Sequence, residues 1–428
     1  MSDSARPATA AILTLGCKLN IADSEVMARR LRGAGWNVVD RPADADAVIV
    51  NTCSVTHTAD QKSRRLVRMA RRVAPAATVA VTGCMLETAP RGQIDALGAD
   101  LVYRQPDQAA LADRIIGLRL PEPGAPAPAA FGRPLKTRAF ISAQEGCNDV
   151  CAFCIIPRTR GRERSKPVEA VVAEARAREA EGVNEIVVTG TQLGAYGRDF
   201  GRRTPYPLLR GLLAGTSIPR IRMSSLQPQD LSDELIGLWE DPRLCRHFHL
   251  ALQSGSRTVL ARMRRRYTLD EYRDSVRRLR AAVPDVAITT DVIVGFPGET
   301  DAEFEETYAF CREMGFAGIH VFPYSDRSGT VAARMPDKVP EPVKKERVRR
   351  LIALAEAMSR DYRERFLAAT VSVLWETRRD GIGGAFWEGL TDTYVRVRAP
   401  SPSDLANCLT PARITGLTDE GLAAEVTP

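Results

Sequence analysis

The sequence predicts an α/β protein in three parts: an N-terminal parallel-sheet domain (residues 1–120), a central partial (β/α)6 TIM-like barrel with a trailing helix (135–368), and a small C-terminal β-barrel (369–428). Three observations predict it. Apolar runs alternate with amphipathic stretches over residues 10–118 in a βαβαβ rhythm. Six further strand candidates, again interleaved with helical patterns, follow a proline-rich stretch. The C-terminal part carries short β runs interrupted by glycine.

In order along the chain, AAILTLGC, DAVIVNTC and TVAVTGC read as strands and SEVMARRLRGAGW and DQKSRRLVRMARRV as the helices between them. Strands buried on both faces imply a parallel sheet, whose ligands sit beyond the carboxyl ends of the strands. Cys17, Cys53 and Cys84 each fall at such an end. PEPGAPAPAAFGRP (121–134) suits an extended linker between domains. AFISAQ, EIVVTG, RIRMSS, HFHLAL, VAITTDVIVG and GIHVFPYS supply the second series of strands. Ser165, Pro167 and Glu169 open a helix that stops at Gly182, and a charged, alanine-rich helix follows Pro340 to about residue 368. TVSVLWE, AFWEGL, TYVRVRA, ARITGL and LAAEVT then suit a small barrel.

A chain of 428 residues that is 44% hydrophobic and 26% charged buries several cores without staples. Its start lacks the pattern of a secretory signal, and AAILTL is too short to span a bilayer, so a cytoplasmic protein without membrane contact is expected. Nine cysteines in such a chain point to metal or redox use rather than a disulfide framework. The net charge of +7 is modest for the length but favours a polyanionic partner, and arginine suits bidentate phosphate contacts.

The sharpest motif is EGCNDVCAFCIIPRTRGRERS, with Cys147, Cys151 and Cys154 in C-x3-C-x2-C spacing after the first strand of the central domain. Three thiolates on one loop can hold three irons of a cubane and leave the fourth open to a chelating substrate. A structural zinc wants a fourth protein ligand, and no other Cys or His lies in this loop. TGTQLGAYG packs three glycines after a strand, which lets the backbone approach a ligand at Gly190. Ser224, Ser225, Gln253, Ser254 and the stretch Gly295 to Glu299 also follow strands and are expected at one barrel mouth.

The C-x3-C-x2-C loop resembles that of the radical S-adenosylmethionine superfamily. LGCKLN, NTCSVT, TGC, TGTQLGAYG, RMSSLQP, HLALQSGSRTVLARMRRRY, TDVIVGFPGET and VFPYSDRSGTVAARM resemble the methylthiotransferases over about residues 11–335. The resemblance implies a [4Fe–4S] cluster on Cys147, Cys151 and Cys154. In the family it resembles, S-adenosylmethionine chelates the open iron of that cluster and is cleaved to a 5′-deoxyadenosyl radical, and the same is expected here. Phe153, Gly190, Gln192, Ser224, Ser225, Gln253, Ser254, Gly295 and Glu299 are expected about that cofactor. A second [4Fe–4S] cluster on Cys17, Cys53 and Cys84, whose open iron carries or delivers sulfur, is implied as well.

LGCKLN and the HVFPYS-like strand ending resemble the branch that adds a methylthio group to C2 of N6-threonylcarbamoyladenosine beside the tRNA anticodon. The isopentenyladenosine branch typically reads GCQMN, and a third branch modifies an aspartate of a ribosomal protein. A non-enzymatic iron–sulfur RNA-binding protein is the reading from another class. The implied partners are tRNA and an electron donor such as flavodoxin or ferredoxin. Arg158, Arg160, Arg162 and Arg164, beside the radical cluster, are expected to meet RNA phosphate, with Arg262 and Arg264 to Arg266 a second candidate group. The C-terminal β segment resembles the TRAM module, in which Trp375, Phe386, Trp387, Tyr394, Arg396 and Arg398 would suit stacking and phosphate contact or simply fill a core. Cys245, Cys311 and Cys408 are expected in packing, His57 at a helix start, and His247, His249 and His320 in structural roles.

Overall fold

The structure is a computed structural model that describes residues 7–104, 108–118, 137–381 and 384–427. The stretch expected to be a linker, 121–134, lies outside the described residues.

The N-terminal sheet is parallel throughout. Its strands β1 (Thr9–Thr14), β2 (Asn37–Val39), β3 (Ala47–Thr52), β4 (Thr78–Gly83) and β5 (Leu101–Tyr103) lie in the order β2-β1-β3-β4-β5. Every residue of the central strand β3 is buried, which explains its unbroken apolar reading. Val48 and Val50 pack on one face with Val67 and Ala70 of helix α2 (His57–Val73), while Ala47 and Ile49 pack on the other with Met27 and Leu31 of helix α1 (Lys18–Gly33). Helix α1 begins immediately after Cys17, earlier than its amphipathic pattern suggests. Thr56 caps α2 by accepting from Ala59 N, so His57 stands at a helix start, as expected.

All six strands expected in the central domain are present: β6 (Arg138–Glu145), β8 (Glu185–Gly190), β9 (Arg220–Met223), β11 (His247–Leu250), β12 (Ala287–Val294) and β13 (Gly318–Pro323). Two short strands, β7 (Arg164–Ser165) and β10 (Ser225–Leu226), complete the set. The long strands run parallel in chain order, and the two halves of the wall meet at an Ile221–Leu244 bridge. β6 and β13 do not pair, so the barrel is partial.

The strand period of two decides what faces inward. Ile141, Ile186, Val188, Ile221, Phe248, Ile288 and Val292 join the core shared with the outer helices. Their neighbours Arg138, Glu185, Arg222, His247, His249, Thr289, Asp291 and His320 therefore face the lumen. The interior of this barrel is polar. Helix α1 leans on the same inner face, with Ala22 packed on Phe140 and Val187, and Glu25 accepting from Phe140 N at 3.0 Å.

The C-terminal part is a closed barrel of β14 (Thr370–Gly381), β15 (Gly384–Thr391), β16 (Arg396–Ala399), β17 (Leu409–Leu417) and β18 (Leu422–Val426). Trp375 and Trp387 are buried in its core beside Tyr362 and Phe366, which end the long helix region after Glu341. They are packing residues rather than a surface for stacking RNA bases. Cys245 and Cys311 are buried too, as expected of packing cysteines, and Cys408 is partly buried.

Two cysteine trios and a polar barrel interior

Cys147 follows β6 at its carboxyl end, and the loop is shaped by the residue before it. Gly146 has φ +70°, and a Cβ there would strike the Arg162 carbonyl, while Cys147 N donates to Gly161 O at 3.1 Å. Gln144 Nε2 donates to the Gly146 carbonyl at 2.8 Å and its Oε1 accepts from Gln192 N at 2.9 Å, tying this loop to the one after β8. Ala152 N donates to Met263 O at 3.0 Å and Ala152 O accepts from Ala332 N at 2.8 Å, pinning the loop from the far wall. Phe153 packs against the cluster of Ala152, Val259, Met263, Phe296 and Tyr324.

Burial pushes the Cys147 thiol up to about 11 and the Cys154 thiol up to about 12, and in both cases the neighbouring thiols of the loop add to the rise. The three sulfurs are thus close enough to feel one another. Arg265 Nη1 donates to Cys151 Sγ at 3.2 Å. Soft donors crowded on one loop, with a fixed cation against one of them, fit an iron–sulfur cluster.

Beside this loop, at or near the ends of β6, β8 and β9, Ser142 Oγ, Thr191 Oγ1, Gln192 Nε2 and Ser224 Oγ are buried without a hydrogen-bond partner among the described residues. Buried polar atoms of this kind are normally satisfied, so the group fits a polar small molecule seated beside the cluster. Gly190 leans on the Gln144 side chain in the same place, and Ser225 and Gln253 are half-buried nearby in sequence to these walls.

Two of the expected cofactor residues also bond to the helix layer, although Glu299 Oε1 is buried without a hydrogen-bond partner among the described residues. Ser254 is fully buried, with its hydroxyl on Thr307 Oγ1 at 3.1 Å, away from the lumen. Glu299 accepts from Gly295 N at 2.6 Å and from Arg347 Nη1 at 2.7 Å, closing the loop after β12 onto the long helix, where Lys344 lies against Gly295.

The second trio stands on adjacent strands of the N-terminal sheet, with Cys17, Cys53 and Cys84 following β1, β3 and β4. Gly16, at φ +107°, lets the chain pass so close that a Cβ there would lie 3.0 Å from Cys53 Sγ. Asn20 Nδ2 donates to Leu15 O at 2.7 Å and Thr52 O at 2.9 Å, holding the strand ends together. Burial pushes Cys84 up to about 11, against the pull of Arg160, and raises Cys53 as well. Three soft donors at the carboxyl end of one sheet again fit a cluster.

The four arginines expected to meet RNA divide. Arg158, Arg162 and Arg164 are exposed. Arg160 is buried, and its Nη2 donates to Asn20 Oδ1 at 2.6 Å and Asp23 Oδ2 at 2.8 Å. It links the two cysteine loops instead of reaching for phosphate. Of the second group, Arg262 is committed to Glu303 through two bonds of 2.9 and 2.8 Å, Arg265 to Cys151, and Arg266 to Asp149 at 3.0 Å, while Arg264 is exposed.

Deeper in the barrel lies a layer that motif reading did not assign. Arg222 bonds to Glu185 at 2.8 Å and to the carbonyls of Thr391 and Asp392. Tyr394 enters from the C-terminal barrel, stacked on His247 with ring centroids 4.8 Å apart and with Arg222 4.7 Å from its ring. His249 Nε2 meets Asp291 Oδ2 at 3.2 Å, and His320 lies beside both. Lys18, the residue after Cys17, reaches into the same layer with Nζ 5.9 Å from the Tyr394 ring. The signal was present as alternation: RIRM, HFHL and TTDV place a polar side chain at every second position of strands flanked by helices. A cavity of about 510 Å³, walled by Arg138, Tyr362, Glu376 and Tyr394, lies on the side of the C-terminal barrel and includes no cysteine.

Among the described residues no helix is long and apolar enough to cross a membrane. The Radical SAM superfamily matches residues 141–311, and uncharacterized protein family UPF0004 matches residues 9–103. The threonylcarbamoyladenosine tRNA methylthiotransferase MtaB of Bacillus subtilis is 38% identical over 425 residues, covering 95% of this chain and 94% of that protein. The tRNA-2-methylthio-N(6)-dimethylallyladenosine synthase of Pelotomaculum thermopropionicum is 34% identical over 427 residues, covering 95% of this chain and 94% of that one. The radical S-adenosylmethionine methyltransferase TsrM of Kitasatospora setae shares the fold, with a TM-score of 0.56 at 16% identity over 77% of each chain. With both regions matched and identity of this order along nearly its whole length, the chain belongs to the radical S-adenosylmethionine tRNA methylthiotransferase family.

Proposed function

We infer that the protein adds a methylthio group to C2 of N6-threonylcarbamoyladenosine beside the anticodon of tRNA. The observation that carries the reading is the Arg160 link, which sets a cysteine loop suited to the radical cluster against a second trio suited to a sulfur-bearing cluster. S-adenosylmethionine and the [4Fe–4S] cluster on Cys147, Cys151 and Cys154 supply one-electron cleavage and hydrogen abstraction that no side chain provides.

The chain's own residues do the rest. Gln192, Ser224 and Thr191 present unsatisfied polar atoms to the cofactor, Arg265 offsets thiolate charge at Cys151, and α1 carries Cys17 to the barrel wall. Cys17, Cys53 and Cys84 hold the second [4Fe–4S] cluster. Arg158, Arg162 and Arg164, exposed beside the cysteine loop, meet tRNA phosphate, and a cytoplasmic donor such as flavodoxin or ferredoxin supplies the electron. Relatives bear names for both the threonylcarbamoyl and the dimethylallyl substrates. The polar lumen favours the first, because an apolar substituent there would desolvate charged groups without replacing their bonds.

Anaerobically reconstituted protein mixed with S-adenosylmethionine and dithionite is expected to release 5′-deoxyadenosine. Replacing Cys147, Cys151 and Cys154 by alanine should abolish that release. The Cys17, Cys53 and Cys84 replacement should keep it but form no methylthio product. Methylthio-threonylcarbamoyladenosine persisting in the tRNA of a deletion strain would overturn the substrate.

A further inference from the structure

Most of the charged side chains of the lumen have a bonded partner. Arg138 bonds to Glu376 at 2.6 Å, Arg222 to Glu185 at 2.8 Å, and Asp291 meets His249 at 3.2 Å. Lys18 has neither a hydrogen bond nor an ion pair among the described residues, although its side chain is partly buried and its charge is felt at Asp291, His247, His320 and Tyr394. An ammonium withdrawn from water with no acceptor bonded to it is costly, and such a group is completed by an anionic ligand.

The place of this lysine narrows the ligand. It is the residue after Cys17, at the first position of α1, and its side chain leads from the second cysteine trio into the barrel. His249, Asp291 and His320 lie close enough together to suit a metal ion in isolation. The Lys18 ammonium, within electrostatic reach of this trio, opposes a further cation there, and with no acceptor bonded to it the ammonium itself suits an anionic group.

We propose that Lys18 Nζ binds the carboxylate at the end of the substituent on the substrate adenosine, making Lys18 a specificity-determining residue and the lumen the chamber for that substituent. The proposal rests on the threonylcarbamoyl reading above. Tyr394 and the two imidazoles supply hydrogen-bonding partners for the hydroxyl and carbamoyl groups of the same substituent. No covalent step is involved; the lysine contributes a charge-assisted bond that a neutral substituent cannot return.

Two tRNA substrates test it, one with free threonylcarbamoyladenosine and one whose carboxylate is blocked as the methyl ester. For the unaltered enzyme the ester should lower kcat/KM by about tenfold or more, the usual weight of a hydrogen bond to a charged group, with the loss mainly in KM. Lys18→Gln, checked for iron and sulfide content because its neighbour is Cys17, should treat the two tRNAs alike. Equal use of both by the unaltered enzyme overturns the proposal, and so does a loaded Lys18→Gln variant that still discriminates. If that variant fails to load, Lys18→Arg, which keeps the charge, should load and still prefer the free carboxylate, and its indifference to the ester would overturn the proposal. Methylthiolation of neither tRNA overturns the threonylcarbamoyl reading and this proposal together, an outcome distinct from equal use of both.

Discussion

Arg160 Nη2 donates to Asp23 Oδ2 at 2.8 Å, joining a residue six places after Cys154 to one six places after Cys17. Both side chains are almost wholly buried, and the same guanidinium nitrogen also bonds to Asn20, whose amide ties the ends of β1 and β3. Arg160 also lies within electrostatic reach of Cys17 and Cys84. Breaking a buried ion pair by removing one partner costs about 3 kcal/mol or more. Arg160→Ala is therefore expected to lower the thermal midpoint and to lose iron preferentially from the second trio. Iron and sulfide analysis together with EPR would check this. Full loading of both sites at an unchanged midpoint would refute the link.

Arg265 places a permanent cation 3.2 Å from Cys151 Sγ, backed by the Tyr267 ring 5.0 Å from the guanidinium carbon. A cluster gains negative charge on reduction, so a cation at its ligand favours the reduced form. Arg265→Gln should move the reduction potential of that cluster downward by on the order of 60 mV, one decade for a one-electron couple. Potentiometric EPR titration reads the shift directly, without reference to turnover. A potential that stays where it was would leave Arg265 with a packing role only.

All six proposed cluster cysteines were legible because strand ends and motif spacing were both written in the chain, and the strands expected there formed. What the chain did not display is direction. Ser254 and Glu299 follow strands as Gln192 and Ser224 do, yet each also bonds to the helix layer, through Thr307 and Arg347. Arg160 sits in a run of alternating arginines that reads as one basic face, and burial singles it out only after α1 has docked on β6. The polar lumen was written as alternation in β9, β11 and β12, but its meaning depends on which face the helices cover. Tyr394 belongs to a segment that reads as RNA-binding and instead stacks on His247, a contact between parts of the chain separated by 147 residues, which no local pattern encodes.

The foot of the barrel should be sensitive to acid. Burial alone would raise the Glu185 carboxyl, but Arg222, through charge and hydrogen bonds, holds it below its ordinary value, with Arg138 and Arg220 assisting. Asp392 is likewise lowered, against its burial, by Arg246. Both groups release their protons more readily in the folded state. Their stabilisation is thus present above the ordinary carboxylate range, about 4 to 4.5, and is lost as pH falls through the lower folded values. Arg222 and Arg220 also donate to the carbonyls of Thr391, Asp392 and Leu390, so this charge set fastens the C-terminal barrel to the central one. Hydrogen exchange over residues 370–427 should rise before that of β6 and β8 as pH is lowered from 5 to 3. Glu185→Gln should be less stable by about 3 kcal/mol near neutral pH, since it leaves the buried Arg222 guanidinium without its countercharge. It should also show a shallower dependence of the thermal midpoint on pH over the same interval, because one of the two titrating groups is gone. An acid profile as steep as that of the unaltered protein would mean that Glu185 does not govern the transition.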